Sequence, residues 1–135
     1  MKTYNVDGSR KHVKLEVRVG TVGIGVTRVR LTENGSYEKL FDSEPGMNGS
    51  IPLTKIGENT TVNSEFLEVR LTLDLSNLGT VDLRKKAIQN LFMECELTGG
   101  PDGQKDYEVQ ESEIDTSLDP TKLRTVIVTQ EIQFV

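Results

Sequence analysis

The chain has 135 residues, a formal net charge of −5, and 35% hydrophobic but only 5% aromatic residues. Single hydrophobic cores usually organise roughly 100–200 residues, so we expect residues 1–135 to form a single domain. With one histidine, His12, and one cysteine, Cys95, the chain can form neither an internal disulfide nor a structural zinc site, which needs about four such ligands.

The first residues of the sequence do not show the pattern of a secretory signal. They lack the apolar run of roughly 7–15 residues that a secretory signal requires, and no later stretch approaches the roughly 18 apolar residues of a membrane span. As written, the sequence therefore predicts a soluble, cytoplasmic protein with no membrane partner, unless a signal peptide has been removed from it.

The clearest pattern is the alternation of apolar and polar residues, which is typical of half-buried strands. It runs through residues 12–19. It is longest in residues 67–75, where five apolar residues alternate with four polar ones. Both segments are predicted strands.

Ile24 to Glu33 predicts a third strand with a bulge near Thr27 or Arg28, because its alternation slips there. The dipeptide Asn34-Gly35 accepts positive φ at both central positions of a type I′ turn, so residues 36–41 should fold back as a hairpin. Turn residues then predict a loop over 43–50. Residues 51–56 follow as an edge strand, because Pro52 cannot donate a ladder hydrogen bond.

Residues 80–91 depart from this pattern and predict one short helix, with Thr80 or Asp82 as its N-cap. Helical spacing places four apolar residues on its buried side: Leu83, Ala87, Ile88 and Leu91. Three basic residues should face solvent: Arg84, Lys85 and Lys86. An irregular crossover between sheets is the alternative.

Alternation returns at residues 93–97, where Met93, Cys95 and Leu97 should face the core. A turn at 99–103 leads to a returning strand over 107–114. A second turn at 117–121 leads to a closing strand over 123–135.

Seven or eight strands with frequent turns and one helix predict an all-β, antiparallel two-sheet sandwich, because each sheet has one apolar face that another layer must cover. A flattened barrel is the alternative. A parallel α/β sheet is disfavoured, since it would need repeated crossover helices and continuously apolar strands.

No residue set in the sequence predicts catalysis, so we expect no catalytic residues and no enzyme. His12 lies between charged neighbours on the polar side of a strand, and Cys95 should be a buried, protonated thiol. The glycines of residues 20–25 precede a strand rather than the helix that a phosphate loop requires. An enzyme built on a carboxylate pair is a weaker alternative.

An acidic segment between residues 102 and 119 contains seven carboxylates, opposed only by Lys105. Calcium binds oxygen ligands in such loops, although the spacing is not that of an EF-hand. The candidate calcium ligands are Asp102, Asp106, Asp115 and Asp119. A calcium-assisted ligand- or carbohydrate-binding module is thus the alternative function, although the lack of tryptophan disfavours sugar stacking. A solvated acidic surface is the simpler interpretation.

Charge is unevenly distributed along the chain. Residues 1–40 carry 8 basic and 4 acidic side chains, whereas residues 81–135 carry 6 and 11. Complementary surfaces could therefore join copies of the protein or a protein partner, helped by exposed strand edges. The candidate interaction residues are Arg18, Arg28, Arg30, Glu111 and Glu113.

Two alternatives apply to the same charges. They could pair within one molecule, as surface charges commonly do. Nucleic acid could contact the arginines together with Lys11 and Lys14, but the negative net charge and the low aromatic content disfavour it. The sequence thus favours a non-enzymatic sandwich that acts as a structural or protein-interaction component, with self-association as one form of that role.

Overall fold

A computed structural model of the chain describes residues 1–135 as two β-sheets packed face to face, which confirms the predicted all-β sandwich. The ten strands are, in chain order, β1 (Lys2–Tyr4), β2 (His12–Gly20), β3 (Ile24–Glu33), β4 (Ser36–Asp42), β5 (Ile51–Glu58), β6 (Phe66–Asp74), β7 (Phe92–Thr98), β8 (Lys105–Glu108), β9 (Ile114–Asp115) and β10 (Thr125–Phe134). Two α-helices, α1 (Asn59–Val62) and α2 (Val81–Gln89), and a 3-10 turn at Glu111–Glu113 complete the chain. The predicted number of seven or eight strands and one helix is too low, because β1, β9 and α1 are too short to show a hydrophobic period.

The larger sheet has six strands in the order β1-β10-β6-β3-β4, with β9 also paired to β10. All its neighbours are antiparallel except β1, which runs parallel to β10. The smaller sheet has four antiparallel strands in the order β5-β2-β7-β8. The last strand of the chain therefore lies inside the larger sheet, beside β6.

The alternating strands define the core between the sheets. Val13 and Leu15 of β2 and Leu71 of β6 have no exposed surface, while their polar neighbours face outward. Burying such a side chain contributes roughly 1.5–3 kcal/mol, so the alternation fixes which face of each sheet is the outer one. The 23 buried apolar residues form one continuous cluster.

The predicted bulge near Thr27 or Arg28 is wrong. β3 pairs without interruption with β6, and the irregularity lies between Val29 and Arg30, where Leu40 of β4 has no partner. The alternation of apolar and polar residues is broken there because Thr27, a polar residue, occupies a position that faces the core. Its hydroxyl donates a 2.6 Å hydrogen bond to the carbonyl of Gly49, which makes burial of this polar side chain possible.

The predicted strand over 107–114 is also wrong. β8 ends at Glu108 and belongs to the four-stranded sheet, whereas β9 begins at Ile114 and pairs with β10 in the other sheet. The chain crosses between the sheets here. Reciprocal capping bonds between Gln110 and Glu113 close the 3-10 turn and interrupt the extended backbone.

The helix predicted over 80–91 is confirmed as α2, and the Thr80 hydroxyl accepts a 3.2 Å hydrogen bond from Leu83 N. Its predicted burial is only partly right, because Ala87 is buried whereas Leu83 is 48% exposed. The expectation that Arg84 faces solvent is wrong, since its guanidinium donates to the carbonyls of Leu78 and Lys122. The two α-helices, with four and nine residues, are both too short to span a membrane.

Candidate binding surface on the six-stranded sheet

The outer face of the six-stranded sheet carries two neighbouring rows of residues that cross its strands. In one row, Arg28 of β3 lies directly opposite Arg70 of β6. In the next, Val26 lies opposite Thr72, which lies opposite Ile127 of β10. Together with Arg30, these residues line an open pocket of about 340 Å3, which we call the arginine site: Val26, Arg28, Arg30, Arg70, Thr72 and Ile127.

Arg30 is fixed within the arginine site. Its Nε and Nη2 donate to Glu68 Oε1 over 2.9 and 2.6 Å, and its guanidinium lies 4.7 Å from the ring centroid of Tyr37. Burial and the Glu131 carboxylate raise the pKa of Tyr37 to about 12, so the ring stays neutral beside the cation. Arg30 therefore shapes the site but has its charge balanced by Glu68.

Arg28 is only partly engaged. Its Nε donates to Asp42 Oδ1 over 3.0 Å, while its side chain remains 57% exposed. Hydrogen bonds from Arg28 and then Lys39 hold the pKa of Asp42 below its usual value, so this carboxylate stays charged. The terminal nitrogens of Arg28 make no hydrogen bond within the chain, and Arg28 is one of the residues that line the pocket.

Arg70 is the unbalanced member of the site. It is exposed, forms no ion pair within the chain, and lies opposite another arginine, an arrangement that is destabilising between neighbouring strands. Asp115 on β9 is near enough for Arg70 to lower its pKa, although hydrogen bonds from Ser117 are the main cause. Three guanidinium groups thus have two directly paired carboxylates.

This arrangement is suited to binding an oxyanion. A guanidinium presents a planar fork of donors that matches a carboxylate or phosphate with two parallel hydrogen bonds. Val26, 38% exposed, and half-buried Ile127 add an apolar border beside Arg70. A carboxylate carried on an aliphatic side chain therefore fits both parts of the site.

The structure divides the five predicted interaction residues. Arg28 and Arg30 meet in the arginine site, but Arg18 lies on the outer face of the other sheet among Glu16, Glu94 and Glu96. Hydrogen bonds with Glu94 and Glu96 raise the pKa of Arg18.

The two acidic members of the predicted set lie in the 3-10 turn. Glu113 binds Lys2 Nζ over 2.6 Å, whereas Glu111 forms no ion pair. Pairing within one molecule thus accounts for Arg18, Arg30 and Glu113. Arg28 is only partly paired, and Glu111 is not paired at all.

The predicted calcium ligands are not brought together. Asp102 accepts a hydrogen bond from Asn5, Asp106 from Gln104, Asp115 from Ser117 N, and Asp119 from Arg124. Each of the four carboxylates thus accepts a hydrogen bond from a different residue. The structure contains no group of three His, Cys, Asp or Glu side chains that could hold a metal ion.

Cys95 is fully buried on β7, as expected from its alternation with Met93 and Leu97. Burial raises the pKa of its thiol to about 12, which keeps it protonated near neutral pH. His12 lies on the outer face of the four-stranded sheet beside Lys11 and Lys14, whereas the Cys95 thiol lies on the inner face of the same sheet. The two side chains therefore do not form a pair.

The sheet edges are poorly suited to pairing with another chain. β4 is bulged at Leu40 and β5 contains Pro52 and two register shifts, while β8 has only four residues. Short, bulged or proline-containing edges resist strand addition. The expected contribution of exposed edges to association is therefore weak, and the sheet faces are the better candidates.

Sequence reasoning identified Arg28 and Arg30 but missed Arg70. Arg70 occupies a polar position of the alternating run 67–75, and nothing in that run shows which residue lies opposite it. It also missed an apolar groove of about 520 Å3 between the β2–β3 connection and α2, lined by Val22, Leu78 and Leu83.

The chain matches no protein-family model, no curated protein and no solved structure. Support for a function therefore comes from the chemistry of the surfaces described above.

Proposed function

We propose that the protein is a non-enzymatic interaction component whose arginine site binds carboxylates of an acidic protein surface. The observation that carries this proposal is Arg70, which faces Arg28 across adjacent strands and has no ion-pair partner in the chain. A carboxylate placed between the two guanidinium groups would convert this repulsion into two charge-assisted contacts. The apolar border formed by Val26 and Ile127 supports a protein side chain as the ligand rather than a free ion.

A second copy of the chain is the partner that the molecule itself supplies. Glu108 and Glu111 are exposed and form no ion pair, and they lie in the acidic segment rather than in the arginine site. Contact between two different patches is heterologous, so such copies associate head to tail. The role is then structural, because each added copy presents a further free arginine site.

Light scattering after size-exclusion chromatography tests self-association in this form. We expect the mass of the wild-type chain to rise with concentration above 15.0 kDa at low salt, and high salt to reverse the rise because it screens exposed charges. R70E should abolish the rise. K85E, with the same charge change on exposed Lys85 of α2, should not.

A wild-type chain that stays monomeric at every concentration would overturn self-association. R70E association equal to that of the wild type would exclude the arginine site as the contact. Arg70 is exposed and faces a like charge, so R70E should remain folded, which its thermal midpoint (Tm) checks.

A further inference from the structure

Charged residues of different kinds lie at the two ends of the outer face of the four-stranded sheet. Arg18 and its three glutamates occupy one end. The other end is a groove of about 480 Å3 without a single apolar lining residue, which we call the lysine groove: Lys11, His12, Lys14, Lys55, Thr98 and Gly99.

The charges of Lys14 and Lys55 in the lysine groove are not balanced within the chain, whereas Lys11 is near enough to Asp7 to help lower the pKa of that carboxyl, although hydrogen bonds from Ser9 are the main cause. Lys14 of β2 lies directly opposite Lys55 of β5, which places their Cβ atoms about 5 Å apart. Neither lysine forms an ion pair. Glu58 lies opposite His12 without pairing to it, and Glu16, the next outward residue of β2, is held by Arg18.

The walls of the groove are tied together beneath the lysines by Asn59, which is completely buried. Its side-chain nitrogen donates to the carbonyls of Lys11 and Gly99 over 2.7 and 3.0 Å, and its backbone N–H donates to Lys11 over 2.9 Å. These bonds join the start of β2 to the end of β7.

Gly99 brings the two walls close together. It has a φ of +98°, and a Cβ there would overlap the carbonyl oxygen of His12. The backbone beneath the lysines is therefore fixed by specific contacts before any ligand arrives.

We infer that the lysine groove binds the phosphoryl groups of a small phosphorylated ligand. Lysine ammonium groups are compact, strongly hydrated charges that commonly bind phosphate. The wholly polar lining excludes an apolar ligand body and distinguishes this groove from the arginine site. Its volume lies within the range of roughly 300–1,000 Å3 typical of small-molecule sites, which leaves room for more than one phosphoryl group.

Calorimetric titration with inorganic tripolyphosphate at low salt tests this inference. The groove variant K14M/K55M removes two charges and keeps the alkyl chains, and K85M/K86M removes two exposed charges from α2. We expect the groove variant to bind at least tenfold more weakly than the wild type, and the α2 variant to bind as the wild type does. R70E should also leave this binding unchanged, which separates it from the proposed function.

Thermal unfolding gives a second readout, since a ligand specific to the folded state raises its Tm. Tripolyphosphate should raise the Tm of the wild type and of K85M/K86M but not that of K14M/K55M, whose own Tm should equal or exceed the wild-type value once the lysine repulsion is removed. Adenosine triphosphate in the same titration separates nucleotide from oligophosphate recognition, because only contacts to the nucleoside would make it bind more tightly. Absence of wild-type binding at millimolar ligand, or equal losses in both double variants, would overturn the inference.

Discussion

Gln130 is a completely buried polar residue on the inward face of β10, and its amide nitrogen has no hydrogen-bond partner. Its Oε1 accepts from Lys2 Nζ, which also donates to both oxygens of Glu113 over 2.8 and 2.6 Å. Leaving a buried polar group unsatisfied costs about 1–3 kcal/mol, whereas Lys2 keeps a strong partner if the glutamine is removed. The hydrogen bond that Gln130 Oε1 accepts from Lys2 is therefore outweighed by the cost of burying the unpaired amide nitrogen of the same side chain.

We therefore predict that Gln130→Met raises the free energy of unfolding by up to about 1 kcal/mol, measured by urea unfolding. The control is Gln133→Met on the outward side of the same strand, which should change it by less than about 0.5 kcal/mol. A loss of more than 2 kcal/mol for Gln130→Met, on the order of a severed buried network, would contradict this account.

Several aspartates are stabilised in their charged form by hydrogen bonds. Arg28 lowers the pKa of Asp42, Ser76 that of Asp74, and Arg124 that of Asp119, each below the usual 3.8. A carboxyl whose pKa is lower in the folded state adds stability above its unfolded pKa and loses it as pH falls through the folded value. We predict a nearly constant urea midpoint from pH 7 to 5 and a decline below about pH 4. A midpoint that rises on acidification would contradict these assignments.

At the scale of elements, α2 depends on polar contacts more than on burial. Ala87 is its one buried residue, while Thr80 caps its first turn and Arg84 binds two carbonyls outside the helix. Losing a threonine N-cap costs about 1 kcal/mol. We predict that loss for Thr80→Ala, measured by thermal unfolding, and a much smaller one for Thr80→Ser, which keeps the hydroxyl. Equal losses in both variants would show that the cap does not stabilise α2.

Elements with long hydrophobic alternation could be predicted from the sequence, and short ones could not. Observed β2 and β6 agree with the predicted strands to within one residue at each end, because burial of one face dictates their period. β1, with three residues, and α1, with four, are too short to show a period, and tertiary contacts hold them. Asn59 of α1 forms its decisive bonds with residues 48 and 40 positions away.

At the scale of the whole molecule, the sandwich follows from the number of half-buried strands, but the surfaces depend on strand order. The basic residues of the first forty positions are divided between two outer faces, with Lys14 and Arg18 on one sheet and Arg28 and Arg30 on the other. The excess of basic residues in the first forty positions therefore does not produce one basic surface on the folded molecule. The decisive pair, Arg28 and Arg70, joins strands whose pairing no local pattern specifies.

The arginine site is tested most directly by the fluorescence anisotropy of labelled hexaglutamate at low ionic strength, measured for the wild type, R70A and K85A. Charge-assisted hydrogen bonds contribute about 1.5–3 kcal/mol, so R70A should bind at least about tenfold more weakly, while K85A should bind as the wild type does. High salt should weaken wild-type binding, since the site is exposed. Equal affinity of R70A and the wild type for hexaglutamate would contradict the account, because Arg70 would then take no part in carboxylate recognition.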